Sequence, residues 1–268
     1  MAEQNADLSD AHANLRQLVR RAGRVSSVQL PIGFVKGGSG EPALAKLLGG
    51  GQSGEVRLKL FLTYVMRATK APHTTRPLHA GEVARTLALP DPATKGVRRV
   101  QAAMRWLKSE RFLAEIKDGD GRRQIQVLNP MAPATGNPPP WPGRGDGNRY
   151  LTLPIEFWTN AWICVMSGRE LALYLILKEL TGGREDRRWT DAERKDLYGL
   201  SGSTWSRAAI ELSEHGLVSV DQALVGDDYA VTRRRNVYRV NETVMKTFEP
   251  HQAPRPGGRA YKKLRTAR

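Results

Sequence analysis

Basic side chains recur in this sequence at spacings that suit contact with nucleic acid. Guanidinium and ammonium groups donate to phosphate oxygens and to the O6 and N7 atoms of guanine, and serine hydroxyls are small enough to reach phosphates and base edges. Such groups collect in three stretches, residues 94–110, 117–123 and 201–235. We therefore predict twelve DNA-contacting residues: Lys95, Arg98, Arg99, Arg105, Arg122, Arg123, Ser203, Ser206, Arg207, Arg233, Arg234 and Arg235.

Other chemistries find little support in the residue patterns. The run Gly37-Gly38-Ser39-Gly40 lacks the Gly-Lys-Ser/Thr ending with which a P-loop holds phosphates and magnesium. Asp118-Gly119-Asp120-Gly121 lacks the spaced acceptors and closing glutamate of a calcium loop. The 5 histidines show neither metal-ligand spacing nor the His-hydrophobic-His pattern of a rolling-circle nickase. We expect no catalytic residue, no metal site and no cofactor, and hence a protein that is not an enzyme.

The composition favours a polyanionic partner. Lysine and arginine number 42 against 27 aspartates and glutamates, which gives a formal charge of +15 among 268 residues. No run approaches the roughly 18 apolar residues of a membrane span, and the polar start of the sequence does not resemble a secretory signal. A single cysteine, Cys164, excludes an intramolecular disulfide. We expect a cytoplasmic protein, associated with the nucleoid or a plasmid, that binds double-stranded DNA and no membrane.

An internal repeat indicates the elements that would position these residues. Leu30-Pro31-Ile32-Gly33-Phe34 recurs as Leu153-Pro154-Ile155-Glu156-Phe157, an offset of 153 − 30 = 123. Leu58-Lys59-Leu60-Phe61-Leu62 recurs as Leu171-Ala172-Leu173-Tyr174-Leu175, an offset of 171 − 58 = 113. A Ser-Glu pair then recurs at 213 − 109 = 104. The shrinking offset indicates a tandem pair of domains whose first copy has longer loops.

The first copy predicts three helices and a hairpin, at residues 55–67, 79–88 and 94–110 and then at 112–116 and 124–128. An apolar stripe on the third helix would face inward. Its members are Val97, Val100, Met104 and Leu107, and Lys95, Arg98, Arg99, Ala102 and Trp106 would project from the far side. We expect Trp106 to pack against its own hairpin or against the other module, in preference to a partner surface. The Asp-Gly dipeptides between the strands favour a tight turn. Three helices followed by a hairpin are typical of a winged helix-turn-helix.

The second copy predicts the same plan, with helices at residues 169–180, 190–198 and 201–215 and strands at 217–220 and 236–240. Trp205, Ala208, Ala209 and Leu212 form the inward stripe of its third helix. Ser203, Ser206 and Arg207 would face outward or to the flank, and Arg233-Arg234-Arg235 would lead into the last strand.

We therefore predict a mainly α fold with small β wings (α+β) that contains two tandem winged helix-turn-helix domains. The predicted boundaries are an N-terminal helix (1–24), domain one (25–128), a Pro/Gly-rich linker (129–148), domain two (149–246) and a basic disordered tail (247–268).

Three segments resemble the winged-helix domains of bacterial plasmid replication initiators and of related phage and plasmid regulators. They are Leu153-Pro154-Ile155-Glu156-Phe157, Glu170-Leu171-Ala172-Leu173-Tyr174-Leu175 and Asn236-Val237-Tyr238-Arg239-Val240. The resemblance covers residues 27–128 and 149–241, although a Gly-rich insertion over 37–54 interrupts the first copy. It implies tandem winged helices that bind repeated sites at an origin or operator.

Three functional classes remain open. The third helices would enter major grooves about one helical turn, roughly 34 Å, apart. The protein would then be a replication initiator or segregation (centromere-binding) protein of a mobile element, or alternatively a transcriptional repressor. In a third alternative, one module acts as a protein–protein adaptor, and the more neutral third helix of the second copy makes that copy the candidate. A homodimer or multimer on DNA is compatible with each class.

Overall fold

The computed structural model describes residues 2–37, 40–49, 53–132, 136–142, 149–182, 188–189, 197–225 and 233–253. The first half contains α1 (Ala2–Ala22), β1 (Val28–Pro31), α2 (Ile32–Val35), α3 (Ala43–Leu48), α4 (Gly54–Arg67), β2 (Thr74–Thr75), α5 (Ala80–Thr86), α6 (Lys95–Ser109), β3 (Leu113–Lys117) and β4 (Arg123–Val127). The second half contains β5 (Tyr150–Leu153), α7 (Glu156–Thr159), α8 (Trp162–Val165), α9 (Gly168–Thr181), β6 (Arg188–Trp189), α10 (Gly202–Glu214), β7 (Val218–Val225), β8 (Arg233–Val240) and α11 (Glu242–Thr247).

The described strands form small antiparallel sheets, so the fold is α+β as predicted. The strand order is β2-β4-β3 in the first half and β6-β8-β7 in the second, which places the last strand of each half in the centre. The two-residue strands β2 and β6 were not predicted from the sequence. The helix predicted at residues 190–198 lies outside the described residues except for Leu197 and Tyr198.

The two hairpins have the same register. Leu113 pairs with Val127 in the first, and Val218 pairs with Val240 in the second. The offsets are therefore 218 − 113 = 105 for the first strand and 240 − 127 = 113 for the second. The short outer strand has the same offset as the last strand. Thr75 pairs with Ile125 and Arg188 pairs with Tyr238, and 188 − 75 and 238 − 125 both equal 113. Corresponding residues thus occupy corresponding ladder positions in both halves.

The ends of α6 and α10 correct the sequence alignment by one residue. The Phe112 amide donates to the Leu107 carbonyl at 2.9 Å, and the Leu217 amide donates to the Leu212 carbonyl at 3.0 Å. These equivalent bonds are offset by 105, not by the 104 at which the Ser-Glu pair recurs. Arg111 (φ 61°) then corresponds to Gly216 (φ 73°), since each helix ends in a left-handed residue.

The two copies of the Leu-Pro-Ile segment pair with each other. Strand β1 is antiparallel to β5, and Gln29 lies opposite Thr152. These two residues differ by 152 − 29 = 123, the offset of the repeat itself. Equivalent residues that face each other in an antiparallel ladder are related by a local two-fold axis. This local axis relates the strands β1 and β5 that the two Leu-Pro-Ile segments contribute.

The core continues from one half into the other. Helix α4 packs against α9, and Lys59 on α4 is only 2% exposed. Its ammonium donates to Glu55 Oε1 at 2.7 Å and to the Cys164 carbonyl at 3.3 Å. This arrangement leaves the buried charge paired, as burial requires.

The described part of the predicted linker lies against the first half. Trp141 is 3% exposed and its ring centroid lies 5.6 Å from that of Phe61. The Trp141 amide donates to the Val127 carbonyl at 2.8 Å, and Pro140 forms a β-bridge with Leu128. Residues 133–135 and 143–148 lie outside the description. Within the segment predicted as a Pro/Gly-rich linker, residues 136–142 therefore include a buried tryptophan and backbone hydrogen bonds to the first half.

Helix α1 and the segment after α11 both contact residues 159–162 of the second half. On α1, the Arg16 guanidinium donates to the Thr159 carbonyl at 3.1 Å. The Trp162 indole donates to the Phe248 carbonyl at 2.9 Å. The basic tail predicted over 247–268 is described only as far as residue 253. Among the described helices, none combines the length and apolarity needed to cross a bilayer.

Candidate nucleic-acid interface

Helix α6 begins at a tight turn that sets its angle to α5. The Thr94 hydroxyl donates to Asp91 Oδ2 at 2.6 Å, and this bond lowers the pKa of Asp91. Gly96 lies so close to α5 that an added Cβ would stand 3.1 Å from Ala84 Cβ. Two helices joined by such a turn hold the second helix in one direction relative to the first.

The inward face of α6 differs in part from the predicted stripe. Val100 and Leu107 are buried as expected, and they are joined by Gly96 and Ala103. Val97 and Met104 are half-buried at the edges of this face. The outward face is fully polar apart from one alanine. It exposes Lys95, Arg98, Gln101, Ala102 and Arg105.

Two residues expected on the outward face of α6 lie elsewhere. Trp106 is half-buried because its ring lies 5.5 Å from that of Phe112, at the start of the wing, and Arg57 lies 4.3 Å above it. This placement confirms the expectation that Trp106 packs against its own hairpin, although its spacing is that of an outward residue. Arg99 is half-buried on the flank of α6, toward the second half of the protein.

Helix α10 matches its predicted faces closely. Ser201 caps it by accepting a hydrogen bond from the Thr204 amide at 3.2 Å. All four members of the inward stripe, Trp205, Ala208, Ala209 and Leu212, are buried. The Trp205 indole donates to the Tyr238 hydroxyl at 2.9 Å, so its polar atom is satisfied inside the core.

The outward face of α10 carries the three residues predicted for it, Ser203, Ser206 and Arg207, all of which are exposed. It also carries Ile210, which is 61% exposed. The sequence analysis missed Ile210 on α10 and Gln101 on α6. Each lies three residues after a predicted contact residue, Gln101 after Arg98 and Ile210 after Arg207, and residues three apart share one face of a helix.

The first wing is less basic than its arginines suggest. Asp118 closes the turn by accepting hydrogen bonds from the amides of Asp120 and Arg122. Arg122 is exposed, 3.6 Å from Asp120 Oδ2. Arg123 donates to Glu115, and this bond, together with one from Lys108, holds the pKa of Glu115 at about 2. Arg122 is therefore the less neutralised of the two predicted wing contacts.

The second wing is longer than predicted. Its ladder has eight residue pairs, from Val218↔Val240 to Val225↔Arg233, where the first wing has five. Arg233, Arg234 and Arg235 lie inside β8 and do not precede it, which corrects the predicted strand start.

A cleft of about 680 Å³ separates the two halves beside their third helices. Arg99 of α6 and Thr204 of α10 both line it, and they are equivalent residues at the offset of 204 − 99 = 105. The start of α9 contributes Ser167, Gly168 and Arg169. Helices α6 and α10 therefore border the same cleft.

The titratable groups of the described core have structural partners. Burial raises the pKa of the Cys164 thiol to about 12, and the thiol donates to the Thr86 carbonyl. Lys178, 3% exposed, pairs with Glu242, which also accepts from the Tyr174 hydroxyl at 3.1 Å. No group of three or more His, Cys, Asp or Glu residues within the described ranges could hold a metal ion.

No known protein family, no curated protein and no solved structure matches this chain.

Proposed function

We propose that the protein binds double-stranded DNA sequence-specifically through two winged-helix modules. The supporting observation is the exposed outward face of both third helices. That face carries Lys95, Arg98, Gln101 and Arg105 on α6, and Ser203, Ser206 and Arg207 on α10.

The topology supports a winged-helix interpretation of each half. After a buried first helix comes a short strand, and a hairpin follows the third helix in both halves. The last strand is central in both three-stranded sheets. This arrangement leaves the third helix free on its outer side and places a hairpin next to it. A helix of this width fits the major groove, while a basic wing contacts the adjacent backbone.

The local two-fold axis through Gln29 and Thr152 supports joint use of both modules. In two-fold symmetric proteins, recognition helices meet half-sites that run in opposite directions. Because both third helices border one cleft, one chain would cover a bipartite site. Arg122 and Arg233 to Arg235 would contact phosphates, which sets register and adds affinity.

Among processes, we favour replication initiation or segregation of a mobile element, with a nucleoid- or plasmid-associated location. A transcriptional repressor is the second candidate. The adaptor alternative for the second module is less favoured, because Arg169 pairs with Glu211 and leaves Arg207 as a cation on the outward face of α10.

The test is retention of fragmented genomic DNA at about 0.15 M salt, followed by sequencing of the retained fragments. The full chain should enrich a defined sequence. Clustered copies at one locus would favour initiation or segregation, and scattered promoter sites would favour repression. No enrichment over bulk DNA would refute sequence-specific binding.

The matched variants change the same number of charges. Arg98→Ala/Arg105→Ala should abolish enrichment, because it removes guanine donors from α6. Arg20→Ala/Arg21→Ala removes two exposed arginines from the end of α1 and should leave the enriched sequence unchanged. Equal enrichment by both variants would show that α6 does not read the bases.

A further inference from the structure

Helices α6 and α10 occupy equivalent positions but present different chemistry. The offset of 105 that relates their C-terminal hydrogen bonds also relates their buried residues. Val100 corresponds to Trp205, and Leu107 corresponds to Leu212. With the inward faces matched in this way, each outward residue of α6 has one counterpart on α10.

The outward counterparts differ at each of three positions one turn apart. Arg98 corresponds to Ser203, Ala102 to Arg207 and Arg105 to Ile210, and all six residues are exposed. Two long donors on α6 are thus replaced on α10 by a hydroxyl and a hydrocarbon side chain. The two faces cannot favour the same bases.

Ile210 lacks any hydrogen-bonding atom in its side chain, although it lies in line with Ser203, Ser206 and Arg207. It is 61% exposed, and Glu211 beside it is paired with Arg169 at the flank of the helix. In a major groove, the C5-methyl of thymine is the apolar group that a base presents to a protein. An isoleucine on a groove-facing surface therefore matches thymine, just as arginine matches guanine.

We propose that Ile210 is a specificity-determining residue that contacts a thymine methyl, while Arg98 and Arg105 read guanine. This inference rests on the proposed DNA-binding function. It means that the two half-sites run in opposite directions but differ in sequence: one requires guanine under α6, and the other requires thymine under α10. The target of this pseudo-symmetric protein is not a palindrome.

The test replaces single methyl groups in the DNA. In the site enriched by the full chain, each thymine is exchanged for deoxyuridine, which removes the methyl and keeps the base pair. One exchange in the α10 half-site should weaken binding by about fourfold, the effect of burying one methyl-sized group. For Ile210→Ala, binding should be weaker on the original site and indifferent to the same exchange.

The control is the corresponding experiment on α6. Exchange of single guanines for 7-deazaguanine, which lacks the N7 acceptor, should weaken binding of the wild-type protein in the α6 half-site. In Arg105→Ala, the exchange at the guanine contacted by Arg105 should have no further effect, whereas the exchange at the guanine contacted by Arg98 should still weaken binding. Circular dichroism establishes that each variant is folded.

The outcomes separate the two proposals. A wild-type protein that selects no sequence overturns the proposed function together with this inference. Selection of a site whose binding is unaffected by every uracil exchange, or affected equally in Ile210→Ala, overturns the thymine contact alone. Unchanged DNA binding by Ile210→Ala with loss of self-association in sedimentation would assign Ile210 to a contact between protein chains.

Discussion

The Glu55 side chain joins the two halves of the protein by accepting a hydrogen bond from the backbone amide of Gly168 at 3.1 Å. Glu55 stands in the first turn of α4, and Gly168 is the first residue of α9. A carboxylate at a helix N-terminus satisfies an otherwise unpaired amide and interacts favourably with the helix dipole. This contact lies next to the cleft between the third helices, so it couples their relative position to the core.

The close approach at Gly168 predicts that a single methyl group will disturb the junction. An added Cβ would lie 3.1 Å from the Glu55 Cα and 3.0 Å from Leu48 Cδ2. We expect Gly168→Ala to lower the free energy of unfolding by about 1–3 kcal/mol, since the backbone of α4 cannot move away cheaply. Urea denaturation followed by circular dichroism measures the change.

Gly202 provides the matched control, because it too follows a capping serine and begins a helix. An added Cβ there meets nothing within 4 Å. Gly202→Ala should leave stability unchanged or raise it by up to about 1 kcal/mol. Equal destabilisation by both substitutions would contradict a specific clash at the junction.

Because Trp141 is buried, we predict that residues 136–142 contribute to the stability of the protein. The Trp141 ring packs edge-on against both Phe34 and Phe61, which stack on each other. Trp141→Ala should cost about 3–5 kcal/mol in urea denaturation, because it opens a cavity in the first half. Pro139→Ala, in the same segment but exposed, should change stability by no more than about 0.5 kcal/mol. A Trp141→Ala protein as stable as wild type would mean that this segment does not dock.

The proposed phosphate contacts of Arg233, Arg234 and Arg235 give an expectation for the salt dependence of DNA binding. Each phosphate contact contributes about 0.9 to the slope of log affinity against log salt. Arg233→Ala/Arg234→Ala/Arg235→Ala should therefore flatten the slope by up to about 2.7 while keeping the preferred sequence. Fluorescence anisotropy at several salt concentrations provides the measurement.

A triple variant with the same change in charge serves as comparison. Arg20→Ala/Arg21→Ala/Lys70→Ala removes three exposed cations from α1 and from the loop after α4. For this variant, the slope of log affinity against log salt should stay within about 0.9 of the wild-type value, which is the contribution of one phosphate contact. If the two triple variants gave the same slope, the effect would be one of overall charge and the wing would have no special role.

We predict that the Cys164 thiol reacts slowly with thiol reagents in the native protein. Burial raises its pKa to about 12, and the thiolate is the reactive form. At about pH 8, the native protein should react with a thiol reagent far more slowly than the protein in denaturant, where the pKa returns to about 8.5. Labelling of the native protein at the denatured rate would contradict the enclosed position beside the Thr86 carbonyl.

Local patterns predicted the elements that carry the candidate interface. Helix periodicity placed the third helices close to their observed bounds, and the inward face of α10 is confirmed residue by residue. Turn chemistry at Asp118 and Gly119 predicted the first hairpin. These features could be predicted because one amphipathic helix or one hairpin records its own burial in the spacing of its apolar residues.

Other features depend on partners distant in the chain. The two-residue strands β2 and β6 are too short for any periodicity and exist because β4 and β8 offer them an edge. Trp106 had the spacing of an outward residue, but Phe112 and Arg57 cover it. The one-residue error in aligning the third helices could be corrected only from the hydrogen bonds that end them.

The sequence by itself determined that the protein is basic, and its patterns predicted an internal repeat, an α+β fold and third helices whose outward faces carry cationic and hydroxyl side chains. Only the tertiary structure decided that the copies of the repeat pair about Gln29 and Thr152, and that Arg99 and Thr204 border the same cleft. Periodicity within a segment specifies which face is buried, but it does not specify what buries it. That choice depends on shape and hydrogen bonding between segments more than a hundred residues apart, and these exist only once both halves have folded.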